Sequence, residues 1–261
     1  MKSNRFSVVK SFRIIYFILI LIIFSNVFHP CVWAKDFLVA IDTGHSRNQP
    51  GAISARGIGE YFFNKRIAEG VHARIMAQNN QIKSFLINNQ DSNISLSERT
   101  KLASDRKADL LISIHHDSVQ RELMSSWDVD GEKQYYCDKY KGFSMFYSEK
   151  NADPYDSLLF AIFLGSEMIK NKFTQTLHHA ENMKGERKSL ADAERGIYKY
   201  DGLVVLKEAT IPAILLECGI IVNRDEELEL GKTEYQGKII TSITEAVKRY
   251  WEFKYNKAKC N

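Results

Sequence analysis

Short apolar segments alternate along the chain with longer stretches in which apolar residues recur every three to four positions. Five segments have the length and composition of buried strands, at residues 37–42, 81–87, 108–115, 143–148 and 212–219. Helical periodicity covers residues 60–78, 95–106, 155–173 and 234–252. Strands that alternate with helices of this length pair in parallel through crossover connections. The sequence therefore predicts a single α/β domain, with a mostly parallel twisted sheet and helices on both faces.

The first 34 residues have a different pattern from the rest of the chain. Four basic residues and no acidic one precede the apolar run IIYFILILIIF at 14–24. Val32 and Ala34 are the small residues that signal peptidase prefers just before its cleavage point. Because a membrane span needs roughly 20 apolar residues, we predict a cleaved export signal at 1–34, a mature domain at 35–261 and no stable membrane span after cleavage. A retained anchor is the alternative.

The distribution of charge argues against one class of partner. The whole chain carries a formal charge of +4, and the four basic residues of the predicted signal account for all of it. A nucleic-acid interface requires Lys and Arg clustered on one face, and the mature chain has no such cluster in its sequence. We therefore do not expect a nucleic acid as a partner.

Three cysteines remain in the predicted mature chain, at Cys137, Cys218 and Cys260. Their wide spacing excludes a compact zinc cluster made of cysteines. Cys137 and Cys260 could pair after export, although the sequence does not determine connectivity. Cys218 lies in the apolar segment AILLECG, so we expect a small buried residue there.

Polar residues able to perform chemistry stand at the ends of three predicted strands. His45 follows FLVAID, His115 ends ADLLISIH, and Glu217 lies near the end of PAILLECG. In open α/β sheets, ligands bind at the carboxyl ends of the strands. Glu60 begins the first long helix, and the loop before it could bring it close to His45. Two histidines and one glutamate suit a catalytic zinc ion, which keeps one position open for water.

A second glutamate beside such a site could carry a proton. Bound zinc lowers the pKa of water to about 7, and Glu217 is the candidate to take the proton and pass it to a leaving amine. Each residue also has a structural alternative: Glu60 could interact with its helix dipole, the histidines with backbone groups, and Glu217 with a cation. The spacing matches no compact metal signature, so these residues alone leave both interpretations open.

The motifs around these residues add a family resemblance. They are IDTGHS with PGA at 50–52, GIGEYFFNKRIA at 57–68, LSERTKLASDRKADLLISIHHDS at 96–118, and PAILLECGIIVNRDEE at 212–227. In this order they resemble the zinc-dependent N-acetylmuramoyl-L-alanine amidases of the amidase-3 family. The resemblance spans residues 37–253, nearly all of the mature chain. It also includes Asn64, Arg99, Gly219 and Asn223.

This resemblance implies that residues 35–261 are an amidase catalytic domain in which His45, Glu60 and His115 bind Zn²⁺ and Glu217 is the general base and acid. The implied reaction is hydrolysis of the amide bond between N-acetylmuramic acid and L-alanine in peptidoglycan. The implied location is the periplasm or cell wall, after secretion. One rival function is a zinc amidase or peptidase acting on soluble wall fragments. Another is a non-catalytic peptidoglycan-binding protein.

The sequence departs from the family pattern at four positions near the site, one of which is Ile220, where an aromatic residue usually follows Gly219. Thr43 stands where proline is common, and His116 and Asp117 follow His115 in place of a small residue and asparagine. Because side chains alternate along a strand, we expect His116 to face away from His115 and to be structural. We expect Asp117 to orient a zinc-bound histidine.

Two polar stretches without clear periodicity interrupt the pattern, at residues 117–142 and 175–195. Loops of this length in a compact domain are often functional or mobile. Some members of the family carry an inserted gate that a protein activator displaces. Both stretches are candidates for such a gate, and simple surface elaboration is the alternative.

Overall fold

The computed structural model describes residues 36–78, 81–88, 93–183 and 185–258, which belong to one compact unit. The predicted export signal at 1–34 and Cys260 lie outside these residues. The strands of the main sheet are β1 (Phe37–Thr43), β2 (Ile82–Leu86), β3 (Leu110–Asp117), β6 (Ser144–Tyr147), β7 (Ser189–Asp192), β8 (Ile197–Lys199) and β9 (Ala213–Ile220). A separate hairpin consists of β4 (Ser125–Val129) and β5 (Glu132–Tyr136).

The seven strands of the main sheet lie in the order β2–β1–β3–β9–β6–β8–β7. Strands β2, β1, β3 and β9 run parallel to one another, and β6 pairs in parallel with β8. The β6–β9 and β7–β8 pairs are antiparallel. The predicted mostly parallel sheet is therefore confirmed, and its direction reverses between β9 and β6.

Helices cover both faces of this sheet, as predicted. They are α1 (Glu60–Ala77), α2 (Leu96–Asp105), α3 (Pro154–Lys170), α4 (Val204–Lys207), α5 (Arg224–Gly231) and α6 (Thr233–Ala258). Val39 and Ile112 pack with α1, α3 and α6 on one face, whereas Ala40 and Leu111 pack with α2 and α4 on the other. This division follows from the alternation of side chains along each strand. None of the described helices is long and apolar enough to cross a membrane.

Polar side chains fix where several helices begin. The Ser95 hydroxyl accepts a hydrogen bond from the Glu98 backbone N–H at the start of α2. Asp153 accepts one in the same way before α3, whose first residue is Pro154. Asn223 accepts two backbone N–H groups at the start of α5. Such caps satisfy N–H groups that have no partner inside the helix.

The polar stretch 117–142 contains an ordered hairpin, which periodicity did not predict. The Trp127 indole N–H in β4 donates to the Ala55 carbonyl at 2.8 Å. The guanidinium groups of Arg56 and Arg224 lie 5.2 and 5.1 Å from the Trp127 ring centroid. The hairpin is therefore held against the loop before α1 and against the start of α5.

The two cysteines within the described part of the chain, Cys137 and Cys218, are both buried. Burial raises the pKa of the Cys218 thiol well above its usual range, which agrees with the predicted structural role. The pairing of Cys137 with Cys260 stays a prediction, because Cys260 is not described.

Candidate metal centre and active site

His45, Glu60 and His115, called here the primary cluster, meet at the carboxyl ends of β1 and β3. Glu60 Oε2 lies 3.0 Å from His45 Nε2, and Glu60 Oε1 lies 2.9 Å from His115 Nδ1. The ligand-capable atoms of the three residues all lie within 4.8 Å of one another. The loop after β1 and the first residue of α1 therefore bring together the three side chains proposed from the sequence.

Two glycines allow the backbone to approach these side chains closely. A side chain at Gly44 would meet the His115 ring at 2.5 Å, and one at Gly51 would meet the His45 ring at 2.5 Å. Gly51 also has φ +78°, a conformation that favours glycine. His45 itself has φ 65°, which is uncommon for a residue with a side chain. The loop is thus shaped around the primary cluster.

Hydrogen bonds keep the Glu60 carboxylate in place and ionised. The Asn64 amide donates to Glu60 Oε1 at 3.0 Å, and the Ala52 backbone N–H donates to Oε2 at 3.1 Å. Burial alone would raise the pKa of Glu60, but the hydrogen bonds to His115 and His45 hold that pKa well below its usual range. The cluster therefore offers one carboxylate and two imidazoles, a ligand set that zinc accepts.

A buried arginine supports the loop that carries His45. Arg99 Nη1 donates to Asp42 Oδ1 at 2.7 Å and to the Thr43 carbonyl at 2.6 Å, and its Nη2 donates to the His45 carbonyl at 2.9 Å. The Ser113 hydroxyl donates to the second oxygen of Asp42. Arg99, an element of the family resemblance, thus connects α2 to the end of β1 and fixes the backbone at His45.

His116 faces away from the primary cluster, as alternation predicts. Its ring lies against Phe63 of α1, and its Nδ1 lies 2.7 Å from Asn64 Oδ1. Complete burial lowers the pKa of His116 to about 3, so the ring is neutral and donates its Nδ1 proton to Asn64. Asn64 thereby connects the carboxylate of Glu60 to a neutral histidine on the far side of the strand.

Glu217 lies opposite His115 in the parallel register of β3 and β9. Its Oε2 is buried and has no hydrogen-bond partner within the described residues. Burial, together with the carboxylates of Asp117 and Glu60, raises the pKa of Glu217 well above its usual range. The side chain lines a cavity of about 350 Å³ that opens to solvent. In the described part of the chain, Glu217 has no ion pair with a lysine or arginine, so the structural alternative for this residue is not observed.

Asp117 does not orient a histidine of the primary cluster, contrary to our expectation. Its Oδ2 lies 2.8 Å from His179 Nε2 and 3.4 Å from His178 Nε2. These three residues, called here the second cluster, have ligand-capable atoms within 4.8 Å of one another. The discrepancy arises because His178 and His179 lie on a turn of 3₁₀ helix that packs against the end of β3. The adjacent pair of histidines was the only signal of this cluster in the sequence.

The second cluster also includes a strong electrostatic contact. His179 Nδ1 lies 2.8 Å from Glu186 Oε2, so its ring stands between two carboxylates. Burial alone would lower the pKa of His179, but hydrogen bonds to Asp117 and Glu186 raise it to about 9. His179, Asp117 and Glu186 line the same cavity as Glu217.

Comparison with known proteins identifies the family. The sequence pattern of the N-acetylmuramoyl-L-alanine amidases matches residues 39–249. The chain belongs to this family. AmiA, the N-acetylmuramoyl-L-alanine amidase of Escherichia coli, is 28% identical over 228 residues, which cover 83% of this chain and 76% of AmiA. The corresponding AmiA of Salmonella typhimurium is also 28% identical.

Solved structures of amidases share the fold. The N-acetylmuramoyl-L-alanine amidase of Clostridium difficile has a TM-score of 0.66 at 24% identity, over 84% of this chain and 98% of that one. The catalytic domain of CwlV from Bacillus (Paenibacillus) polymyxa has a TM-score of 0.63 at 25% identity, over 82% of this chain and 98% of that one. The predicted family, fold class and enzyme class of this amidase are therefore confirmed.

Proposed function

We propose that this amidase hydrolyses the bond between N-acetylmuramic acid and L-alanine in peptidoglycan, with Zn²⁺ at the primary cluster and Glu217 as general base and acid. The convergence of His45, Glu60 and His115 supports this proposal most directly, since their ligand-capable atoms lie within 4.8 Å. The names of the relatives support the substrate, because AmiA and CwlV are N-acetylmuramoyl-L-alanine amidases.

The primary cluster fits a zinc ion by its donor set and by its surroundings. An ionised carboxylate stands between two imidazoles that remain partly exposed, with side-chain exposures of 34% for His45 and 18% for His115. Three protein ligands with access to solvent are typical of catalytic rather than structural zinc. Zinc bound there would supply a Lewis acid, which makes water more acidic and polarises a carbonyl.

Glu217 has the position and the free atom that proton transfer requires. Its Oε2 is buried and has no hydrogen-bond partner among the described residues, and the side chain lines a cavity that solvent can enter. In the proposed reaction this oxygen takes a proton from the attacking water, whose oxygen bonds to the lactyl carbonyl carbon. The C–N bond then breaks, and Glu217 returns the proton to the amine of L-alanine.

The test is to identify the products by mass spectrometry after purified protein is incubated with polymeric peptidoglycan. We expect free stem peptides that begin at L-alanine, none after treatment with a zinc chelator, and restoration when Zn²⁺ is added back. Release of stem peptides from soluble muropeptides but not from the polymer would instead support an amidase or peptidase that acts on soluble wall fragments. Binding to peptidoglycan without any product would support the non-catalytic function, and cleavage elsewhere in the stem would contradict the proposed bond.

We also propose that residues 1–34 direct export and are removed, because the proposed substrate lies outside the cytoplasm. The mature enzyme then acts in the periplasm or at the cell wall. N-terminal sequencing of the protein from the cell envelope is expected to begin at Lys35. An intact Met1 in that material would contradict cleavage.

We propose residues 175–195, rather than the hairpin within 117–142, as the place where a protein activator acts. His179, Gly185, Glu186 and Lys188 line the cavity of Glu217, and so do residues 117–121. The hairpin at 125–136 does not line it and packs against Ala55 through Trp127. Trp127→Ala, which releases the hairpin, is therefore expected to leave the basal rate of hydrolysis unchanged. An increase in that rate would place the gate in the hairpin.

A further inference from the structure

Outside the primary cluster, one other group of side chains in the described residues has the composition of a metal site. The second cluster contributes the Oδ2 of Asp117 and the Nε2 atoms of His178 and His179. Asp117 stands at the last position of β3, and the two histidines are consecutive residues of a 3₁₀ turn. Their ring centroids lie 3.9 Å apart, so both rings approach the same carboxylate from one side.

The other nitrogen of each ring is already bonded to an outer partner. His179 Nδ1 lies 2.8 Å from Glu186 Oε2, and the Gln120 amide holds the other oxygen of Glu186 at 3.0 Å. His178 Nδ1 lies 2.9 Å from the Thr176 hydroxyl. Metal-binding histidines generally have this arrangement, in which a carboxylate or other polar group fixes the ring through the nitrogen that does not bind the metal.

The Nε2 atom of His178 has no such bond. His178 is only 4% exposed, and its Nε2 has no hydrogen-bond partner in the part of the chain that is described. Asp117 Oδ2 lies 3.4 Å from this nitrogen, without hydrogen-bond geometry. A buried polar atom without a partner destabilises a fold, and a cation between this nitrogen and the carboxylate would satisfy both.

We propose that Asp117, His178 and His179 form a second binding site for a divalent transition metal of the zinc class. Two imidazoles and one carboxylate suit Zn²⁺ and Co²⁺ but not Mg²⁺ or Ca²⁺, which prefer oxygen ligands. The metal takes the place of the proton that His179 shares with Asp117, and that proton passes to solvent. The inference does not depend on the proposed function, because it concerns different ligands.

The position of this site indicates its effect on the enzyme. Asp117, His179 and Glu186 line the cavity that Glu217 also lines, so an ion has a path from solvent. An ion bound there would join the 3₁₀ turn at His178–Ala180 to the end of β3. We expect it to hold the wall of that cavity in place without being a ligand of the primary cluster.

The test is a zinc titration of the purified full-length protein after metal removal. Calorimetry monitors the titration, and elemental analysis of the dialysed complex counts the bound metal. We expect two equivalents of Zn²⁺ for the wild type and one for His178→Gln or His179→Gln. We also expect one equivalent for the double variant His45→Ala/His115→Ala. When this double variant is loaded with Co²⁺ instead of Zn²⁺, it should show Co²⁺ absorption bands, and these bands should disappear when His178→Gln is added.

The matched control is His72→Gln, because the His72 Nδ1 also lies 2.9 Å from a hydroxyl group, that of Ser84, outside both clusters. This variant should keep two equivalents. If His178→Gln fails to fold by circular dichroism, Glu186→Gln serves instead and is expected to weaken the second equivalent about 10- to 100-fold. No bound Zn²⁺ in the double variant His45→Ala/His115→Ala, or a second equivalent that survives His178→Gln and His179→Gln, would overturn the proposal.

Discussion

The primary and second clusters each combine one carboxylate with two imidazoles, but different elements of the fold supply these groups. In the primary cluster, the carboxylate of Glu60 comes from the first turn of a helix and the histidines come from the ends of two strands. In the second cluster, the carboxylate of Asp117 comes from a strand, and both histidines come from one short turn between α3 and β7.

This difference determines what holds each cluster in shape. Buried secondary structure and the guanidinium of Arg99 fix the primary cluster, so its geometry is a property of the sheet. The second cluster depends on the side chains of Glu186, Gln120 and Thr176, all of which lie in connecting segments. Sites on regular elements are held more rigidly than sites on loops. We therefore expect the primary cluster to keep its geometry without metal and the second cluster to gain order when it binds one.

The largest expected effect is on the rate of hydrolysis, without a change in the amount of bound metal. Glu217→Gln keeps the size of the side chain but removes its ability to accept a proton, so the rate of stem-peptide release should fall about 10²- to 10⁴-fold. Zinc content should not change, because Glu217 is a ligand in neither cluster. Rate measurements with elemental analysis check both statements. Glu208→Gln, a substitution at a glutamate that contacts Ser97, should retain the rate, and an active Glu217→Gln enzyme would favour a different base.

The second-largest expected effect concerns the buried ion pair of Arg99 and Asp42, which supports the loop that carries His45. Arg99→Ala leaves the buried Asp42 carboxylate without its cation, which should lower the free energy of unfolding by about 3–5 kcal/mol. For a domain of this size the melting temperature should then fall by roughly 10 °C. Thermal unfolding measures the change. Arg106→Ala, on the exposed end of α2, is the control and should melt close to the wild type. A melting temperature of Arg99→Ala equal to that of the wild type would show that the contact between Arg99 and Asp42 does not stabilise the domain.

The third prediction concerns the buried acid that holds the strand end beside the second cluster. Glu226 accepts the backbone N–H groups of Gly142 and Ile220, and burial raises its pKa to about 7 despite these hydrogen bonds. Lys141 and Asp117 are nearby charges with opposite effects on this pKa. The unfolded chain ionises at about 4.5, so stability should be lost as the pH rises from 4.5 to 7, by about 3 kcal/mol.

Glu226→Gln should remove this dependence on pH. Denaturant unfolding of both proteins at pH 4.5 and pH 7.5 measures the difference. The wild type should lose more stability than the variant between the two values, whereas Glu229→Gln on the same helix should follow the wild type. Equal losses in wild type and Glu226→Gln would show that Glu226 does not control the dependence.

The smallest expected effect concerns the support of Glu60. Asn64→Leu removes the amide that donates to Glu60 Oε1, which should weaken zinc binding at the primary cluster about 10- to 100-fold. The second equivalent should bind as before. Competition with a chelating dye measures both affinities. Asn171→Leu removes a comparable pair of side-chain hydrogen bonds at the end of α3 and should change neither affinity. A loss at both clusters would mean that they are coupled.

The central strands were predictable because they are buried on both faces. The predicted strands at 37–42, 108–115 and 212–219 end within two residues of β1, β3 and β9. Burial on both faces requires a nearly continuous apolar run, which is easily recognised. The hairpin of β4 and β5 is mostly exposed and polar, and the contact of Trp127 with Ala55 that fixes it is not local in sequence. Periodicity therefore gave no sign of the hairpin.

The same distinction applies to the two clusters. His45, His115 and Glu217 follow buried strands, so a general rule for α/β sheets brings them to one edge. His178 and His179 lie in a polar stretch without periodicity, and the contact of His179 with Asp117 joins residues 62 positions apart. No local pattern encodes that contact, because it results from how the segment packs on the finished sheet. The direction of β6, antiparallel to β9, was unpredictable for a similar reason.

The close approach at Gly44 has a consequence for which sequence changes the domain tolerates. The His115 ring occupies the volume that a methyl group at position 44 would need. Gly44→Ala and His115→Ala should therefore be harmful for different reasons, the first by crowding and the second by leaving a void. Together they should compensate in a selection for folding alone, whereas a selection for hydrolysis should reject the pair as strongly as either change. Glycine at this position is thus required by the His115 ring beside it rather than by the turn.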